Sequence, residues 1–120
     1  MKGRYPLPEE LARYATEDRF APDELREVCR EAGEKLGRED AAGARFRSAA
    51  DMVALWRGLD LPAWEAPYVL RDTRLGYLTG YEQALVFDGL SEARTKQAAE
   101  ARWGENWRRR LEAVRERTGR

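Results

Sequence analysis

The sequence predicts an all-α fold: a compact bundle of four to five helices in a single domain that spans residues 1–120. Three observations support this prediction. Apolar residues recur at helical spacing, no segment shows the alternating β-branched pattern of a strand, and proline or glycine separates the segments. With 120 residues, 42% of them hydrophobic, the chain can bury a core without disulfides or a metal.

The first two expected helices form an αα-hairpin over about residues 8–36. Pro22 at an early helical position marks the start of the second helix, and Gly37 is predicted to end it. The apolar residues of this helix form one stripe, which predicts a core-facing side. They are Leu25, Val28, Cys29, Ala32 and Leu36.

Three further helices are expected, over about residues 40–59, 67–87 and 91–117. Asp88-Gly89 closes the fourth helix, and the Ser91 hydroxyl is suited to cap the fifth. Gly104 interrupts the last helix and is predicted either to bend or to split it. As one rod, this long C-terminal helix could project from the body of the domain.

A small-residue groove is the first candidate interaction surface. In LGYLTGYEQAL, two glycines stand four residues apart, although each costs roughly 1 kcal/mol relative to alanine inside a helix. Close approach of another helix would offset that cost. The occupant could be a helix of the same chain, a helix of another subunit or partner, or a small ligand. The groove and its aromatic wall consist of Gly76, Tyr77, Gly80 and Tyr81.

An indole-lined stripe on the last helix is the second candidate surface. Its residues share one side of the helix and are Trp103, Trp107, Leu111 and Val114. If the helix projected, this stripe would be an exposed apolar patch, a feature typical of sites that bind a partner or a second copy of the chain.

Nucleic-acid binding is the alternative function. The candidate phosphate contacts on the last helix are Arg102, Arg108, Arg109, Arg110 and Arg115. The pairs Arg108–Glu112 and Glu105–Arg109 are spaced for ion pairing, which would give a mixed rather than a cationic face. A helix-turn-helix near the N-terminus is a weaker possibility, because its second helix would present acidic residues to the phosphates.

Enzymatic activity is not expected. The chain has no histidine, which removes the commonest general base and the Ser–His and Cys–His nucleophiles. Cys29 lies on an apolar helix face, where a thiol is inert. The acidic row of the second helix lies on its polar face, and no glycine-rich phosphate loop follows a strand. The sequence therefore predicts no catalytic residue, metal site or cofactor.

Charge and composition complete the sequence-based prediction. Residues 1–90 carry 13 basic and 17 acidic side chains, and residues 91–120 carry 9 and 5, so a basic tail follows an acidic body and could fold onto it. The lone cysteine and the absence of an apolar leader favour the cytoplasm, and no apolar run suits a membrane. We expect a non-enzymatic module that binds another protein or itself, as an adaptor, assembly component or inhibitor-like domain.

Overall fold

A computed structural model describes residues 22–56 and 66–119, and every regular element in these ranges is helical. The elements are α1 (Pro22–Ala42), α2 (Ala49–Trp56), α3 (Ala66–Phe87), α4 (Glu92–Trp103), a 3₁₀ turn (Gly104–Asn106) and α5 (Trp107–Thr118). The predicted all-α class is therefore confirmed. The first helix of the predicted hairpin lies outside the described residues.

Helices α1 and α3 run parallel and form the tightest contact of the fold. Gly33 faces the backbone of Thr73, and four residues later Gly37 faces the backbone of Tyr77, so the residue numbers rise together along both helices. Parallel neighbours cannot be joined by a short turn. Residues 43–65, which include α2, make the connection.

Four glycines allow this close approach. A Cβ atom added to any of them would lie only 2.0–2.3 Å from a carbonyl oxygen of the facing helix. They are Gly33 and Gly37 on α1 and Gly76 and Gly80 on α3. The prediction that Gly37 ends its helix was therefore wrong: α1 continues to Ala42, because Gly37 serves helix–helix contact and does not act as a cap.

The contact between α1 and α3 has an internal symmetry. Gly33 faces the carbonyl of Thr73, and Gly76 faces the carbonyl of Arg30. Adding 43 to the α1 residue numbers converts one contact into the other, and the same shift relates the contact of Gly37 to that of Gly80. A pseudo-two-fold axis thus runs along the pair. We call the shared small-residue line the α1/α3 seam; it consists of Cys29, Gly33, Gly37 and Ala41 with Asp72, Gly76, Gly80 and Ala84.

An aromatic cluster covers one side of this helix pair. Tyr77 and Tyr81 on α3 are fully buried, and Phe46 from the α1–α2 loop packs against both rings with centroids 5.6 and 5.2 Å away. The Tyr81 hydroxyl donates a hydrogen bond of 2.6 Å to the carbonyl of Ala98 on α4. This bond joins α4 to α3.

The C-terminal region folds back on the rest of the molecule. Ser91 caps α4 as expected, since its hydroxyl accepts the Arg94 N–H at 3.1 Å. Gly104, with φ of +62°, ends α4 and splits the predicted long helix. After this break α5 packs on α3 and α4, and Leu111 and Val114 become buried. Within the described ranges, no helix has the length and apolar content that crossing a bilayer demands.

Candidate functional site

The small-residue groove predicted on α3 lies inside the folded chain. Helix α1 of the same chain occupies it, the first of the three occupants considered. Gly76 and Gly80 touch the α1 backbone directly, and Tyr77 and Tyr81 have no exposed surface. These four residues build the core and leave no groove open for a second molecule.

A buried polar network explains why Tyr77 carries a hydroxyl. This group donates to the Asp40 carboxylate at 2.7 Å and accepts the Arg47 N–H at 2.8 Å. Asp40 is also buried, and it receives the guanidinium Nε of Arg45 at 3.0 Å and that of Arg47 at 2.9 Å. Burial, helped by the Asp40 hydrogen bond, raises the pKa of Tyr77. The network fixes the turn that follows α1. The Asp40 carboxylate and the Tyr77 hydroxyl are already hydrogen bonded within it.

A second buried carboxylate, Asp72, lies on the seam opposite Cys29. Neither of its oxygens accepts a hydrogen bond from a described residue. The guanidiniums of Arg26, Arg71 and Arg30 lie 3.4, 3.8 and 4.0 Å away and balance its charge. Burial raises the pKa of the Cys29 thiol to about 11, so this sulfur stays protonated at neutral pH and is a poor nucleophile.

An open cleft forms where the end of α3, the following turn, the start of α4 and one side of α5 meet. Its volume is about 650 Å³, within the range of roughly 300–1,000 Å³ typical of ligand sites. Leu85, Thr95 and Leu111 are buried and form its floor. The remaining lining residues are Val86, Phe87, Gly89, Leu90, Glu92, Ala93, Lys96, Trp107 and Arg115.

The predicted indole stripe divides between this cleft and the core. Trp107 is half-buried and forms a wall of the cleft, above the floor residue Leu111. Val114 is buried elsewhere against the bundle. The Trp103 ring is half-buried under the Arg102 guanidinium, whose Cζ lies 4.7 Å from the ring centroid.

Cations dominate the rim of the cleft. The Lys96 ammonium nitrogen lies 6.0 Å from the Trp107 ring centroid, and the Arg108 Cζ lies 5.2 Å from it. Arg115 lines the cleft farther along α5, and Glu92 is the sole acidic residue among the described lining residues. Neither Lys96 nor Arg115 forms an ion pair within the described ranges.

The five arginines predicted to contact nucleic acid separate into two groups. Arg102 is structural: only 13% of its side chain is exposed, and it pairs with Glu82 at 2.9 Å. Arg117 binds the same carboxylate. The other four are exposed, namely Arg108, Arg109, Arg110 and Arg115. The expected pairs Arg108–Glu112 and Glu105–Arg109 are not among the ion pairs of the described residues.

Three of the site residues predicted from the sequence line the cleft, and Arg115 among them was predicted only as a nucleic-acid contact. Trp107 and Leu111 were found from the stripe on α5, but Leu90 and Lys96 were not predicted. The Asp88-Gly89 turn was the available signal, because it brings the end of α3 and the start of α4 together. The position of α5 beside them depends on the Gly104 break, whose direction no local pattern specifies.

The described residues were also compared with the ligand sets that metals require. In the described part of the chain, no three His, Cys, Asp or Glu side chains come together as metal ligands. Comparisons with protein-family models, curated proteins and solved structures gave no match. The geometry of the chain is therefore the basis for any functional proposal.

Proposed function

We propose that this chain is a non-enzymatic helical module that binds a segment of another protein in the α3/α4/α5 cleft. The observation that carries the proposal is the combination of a floor with two buried leucines, a half-buried Trp107 wall and an open rim in a cleft of about 650 Å³. Tryptophan is enriched among the residues that dominate protein–protein binding energy.

The cleft is preformed, which favours binding. Leu85 and Leu111 belong to the buried core, and Trp107 packs against that core. Residues held this way lose little side-chain freedom when a partner arrives, so less of the binding free energy is spent on ordering them.

The chemistry of the buried groups supports a binding role over a catalytic one. Histidine is absent from the chain. Asp40 is saturated by its own hydrogen bonds, and the raised pKa of Cys29 keeps its thiol protonated. Among the described lining residues of the cleft, the titratable side chains are Glu92, Lys96 and Arg115, which do not supply a nucleophile with a neighbouring base. A cytoplasmic location fits the single cysteine, because a reducing compartment preserves free thiols.

Selection from a random 16-residue peptide library displayed on phage, with the full chain as bait, tests the proposal. Ala93 and Ala101 are both exposed on α4, but only Ala93 is among the residues lining the cleft. We expect selected peptides to lose at least about tenfold in affinity for Ala93→Gln, because the longer side chain obstructs the cleft. Ala101→Gln should bind like the wild type.

Two outcomes would contradict this proposal. One is that no peptide is enriched by the wild-type chain. The other is that enriched peptides bind Ala93→Gln as tightly as Ala101→Gln, which would place their site elsewhere. Fluorescence anisotropy with labelled peptides gives the affinities, and circular dichroism verifies that both variants keep their helices.

Nucleic-acid binding is a second candidate, favoured by the four exposed arginines of α5. Arg109 and Arg110 are exposed and are not among the cleft residues, so Arg109→Glu with Arg110→Glu tests this function separately. If the candidate is right, a labelled single-stranded oligonucleotide loses most of its affinity for the double variant, and the wild-type affinity falls steeply with salt. Equal weak binding by both chains would exclude it.

A further inference from the structure

We infer that the partner segment is an acidic amphipathic helix, whose apolar side chains enter the cleft and whose carboxylates meet Lys96 and Arg115. This inference rests on the proposed function and specifies the chemistry of the partner. It follows from three features of the cleft: two cations that have no ion-pair partner among the described residues, the distance between these cations, and the aromatic wall next to one of them.

The charge of the lining calls for an anionic partner. Lys96 and Arg115 line the cleft together with a single carboxylate, Glu92, and neither cation forms an ion pair within the described part of the chain. A partner that covered these groups without opposite charge would remove them from water uncompensated, which is costly. Carboxylates of the partner at the same places would pair with these cations and so avoid that penalty. They would also select against basic partners.

The spacing of the cations predicts the spacing of the carboxylates. Trp107, Leu111 and Arg115 follow one another at four-residue intervals along α5, so they share one side of the helix. Arg115 therefore lies about 12 Å along the axis from Trp107. Because the Lys96 ammonium lies 6.0 Å from the Trp107 ring, the two cations mark opposite ends of this α5 side. A partner helix matches them with carboxylates about seven or eight positions apart.

The aromatic wall predicts where the partner's apolar residues lie. Leu111 forms the floor midway between Trp107 and Arg115. Apolar side chains three and four residues after the first carboxylate would therefore contact Trp107 and Leu111, in the helix-in-groove manner.

Helix α1 of a second copy does not meet these requirements. Its exposed face carries Glu27 and Glu31, but Arg26 and Arg30 alternate with them. The large apolar side chains found exposed in the described residues are Val53, Leu75 and Phe87, none of which belongs to α1. The described side chains of that helix would bring acids to the cleft without exposed apolar residues to fill it, so we assign the occupant to another protein.

Charge reversal on both sides of the interface tests the inference. The enriched peptide from the library selection is synthesised in two forms, one with its acidic residues and one with lysine in their place. We expect the wild-type chain to bind the acidic form at least about tenfold more tightly, an interaction difference of about 1.4 kcal/mol. Lys96→Glu with Arg115→Glu should reverse the preference. The control Arg109→Glu with Arg110→Glu carries the same charge change outside the cleft and should keep it.

The possible failures separate the two proposals. Enriched peptides that are neutral or basic, yet lose affinity for Ala93→Gln, overturn the acidic partner and leave the binding function intact. No enrichment overturns both. An oligonucleotide that displaces the acidic peptide from the cleft overturns the inference in favour of nucleic acid. Dimerisation of the wild-type chain in sedimentation equilibrium that Ala93→Gln abolishes overturns it in favour of a second copy.

Discussion

The α1/α3 pair and the two C-terminal helices, α4 and α5 (the α4/α5 layer), pack in opposite ways. In the pair, glycines let two backbones touch, and a Cβ atom on any of four residues would collide with a carbonyl oxygen. In the layer, a break at Gly104 turns α5 back and leaves about 650 Å³ open beside Trp107. The seam leaves no space between its two backbones, while the cleft beside α5 is open and carries two cations without an ion-pair partner among the described residues.

Adding a single methyl group to the seam should destabilise the folded chain. In Gly76→Ala the new methyl would lie 2.0 Å from the Arg30 carbonyl oxygen, so one backbone must move. We expect the free energy of unfolding to fall by about 2–3 kcal/mol, more than the gain of about 1 kcal/mol in helix propensity. Urea denaturation followed by circular dichroism measures the loss.

Gly43→Ala is the matched control for this substitution. A Cβ at Gly43 meets its nearest atom at 3.5 Å, an ordinary contact. Its unfolding free energy should change by less than about 1 kcal/mol. If Gly76→Ala proves as stable as Gly43→Ala, the two helices can move apart without cost, and the seam does not require glycine.

The seam should also weaken at alkaline pH. Burial raises the pKa of Cys29 from 9.0 to about 11, so the folded state favours the protonated thiol. The resulting stability is complete below about pH 9 and disappears as the pH rises through 11. We expect a loss of about 2–3 kcal/mol from this residue, while the raised pKa values of Tyr77 and Tyr81 add a loss at higher pH.

Cys29→Ala isolates the thiol, because the tyrosines remain in the variant. Unfolding free energies are measured at intervals between pH 7 and 11 for both chains. The wild type should lose more stability than the variant across this window. If the unfolding free energies of both chains fell equally with pH, the thiol would be accessible to water and the helices would not pack closely at Cys29.

The fold should tolerate the charge reversal that is expected to reverse the peptide preference of the cleft. Lys96→Glu with Arg115→Glu alters two exposed side chains that form no ion pair within the described ranges. We expect the free energy of unfolding to change by less than about 0.5 kcal/mol, although the peptide preference reverses. Thermal unfolding measures the effect. A loss comparable with that of Gly76→Ala would show that these cations hold the fold together.

Local signals in the sequence predicted several helix ends correctly, but not how the helices pair. The helix expected to start near residue 40 starts at Ala49, because α1 continues to Ala42 and a loop follows it. Pro22, Ser91 and the Asp88-Gly89 turn act on their immediate neighbours, and each marks the boundary predicted for it. Gly37 was misread because a glycine that ends a helix and one that admits another helix look alike in sequence. Only the position of α3, 43 residues farther along, distinguishes them.

The cleft was harder to predict, since its residues come from three helices. Trp107 and Leu111 could be found from the periodicity of α5 alone. Leu90 and Lys96 become neighbours of that helix only after Gly104 redirects the chain. The periodicity of one helix predicts that it has an apolar side. It does not predict how much of that side the neighbouring helices will cover.

The parallel arrangement of α1 and α3 has a consequence for the order of folding. Equivalent seam positions are 43 residues apart, so their contact requires closure of a long loop, whereas α4 and α5 are joined through three residues. Loop-closure entropy rises only by about 0.6 kcal/mol per doubling of length, but non-local contacts slow the search. Added length between α1 and α3 should delay the meeting of the glycines far more than it weakens the finished protein.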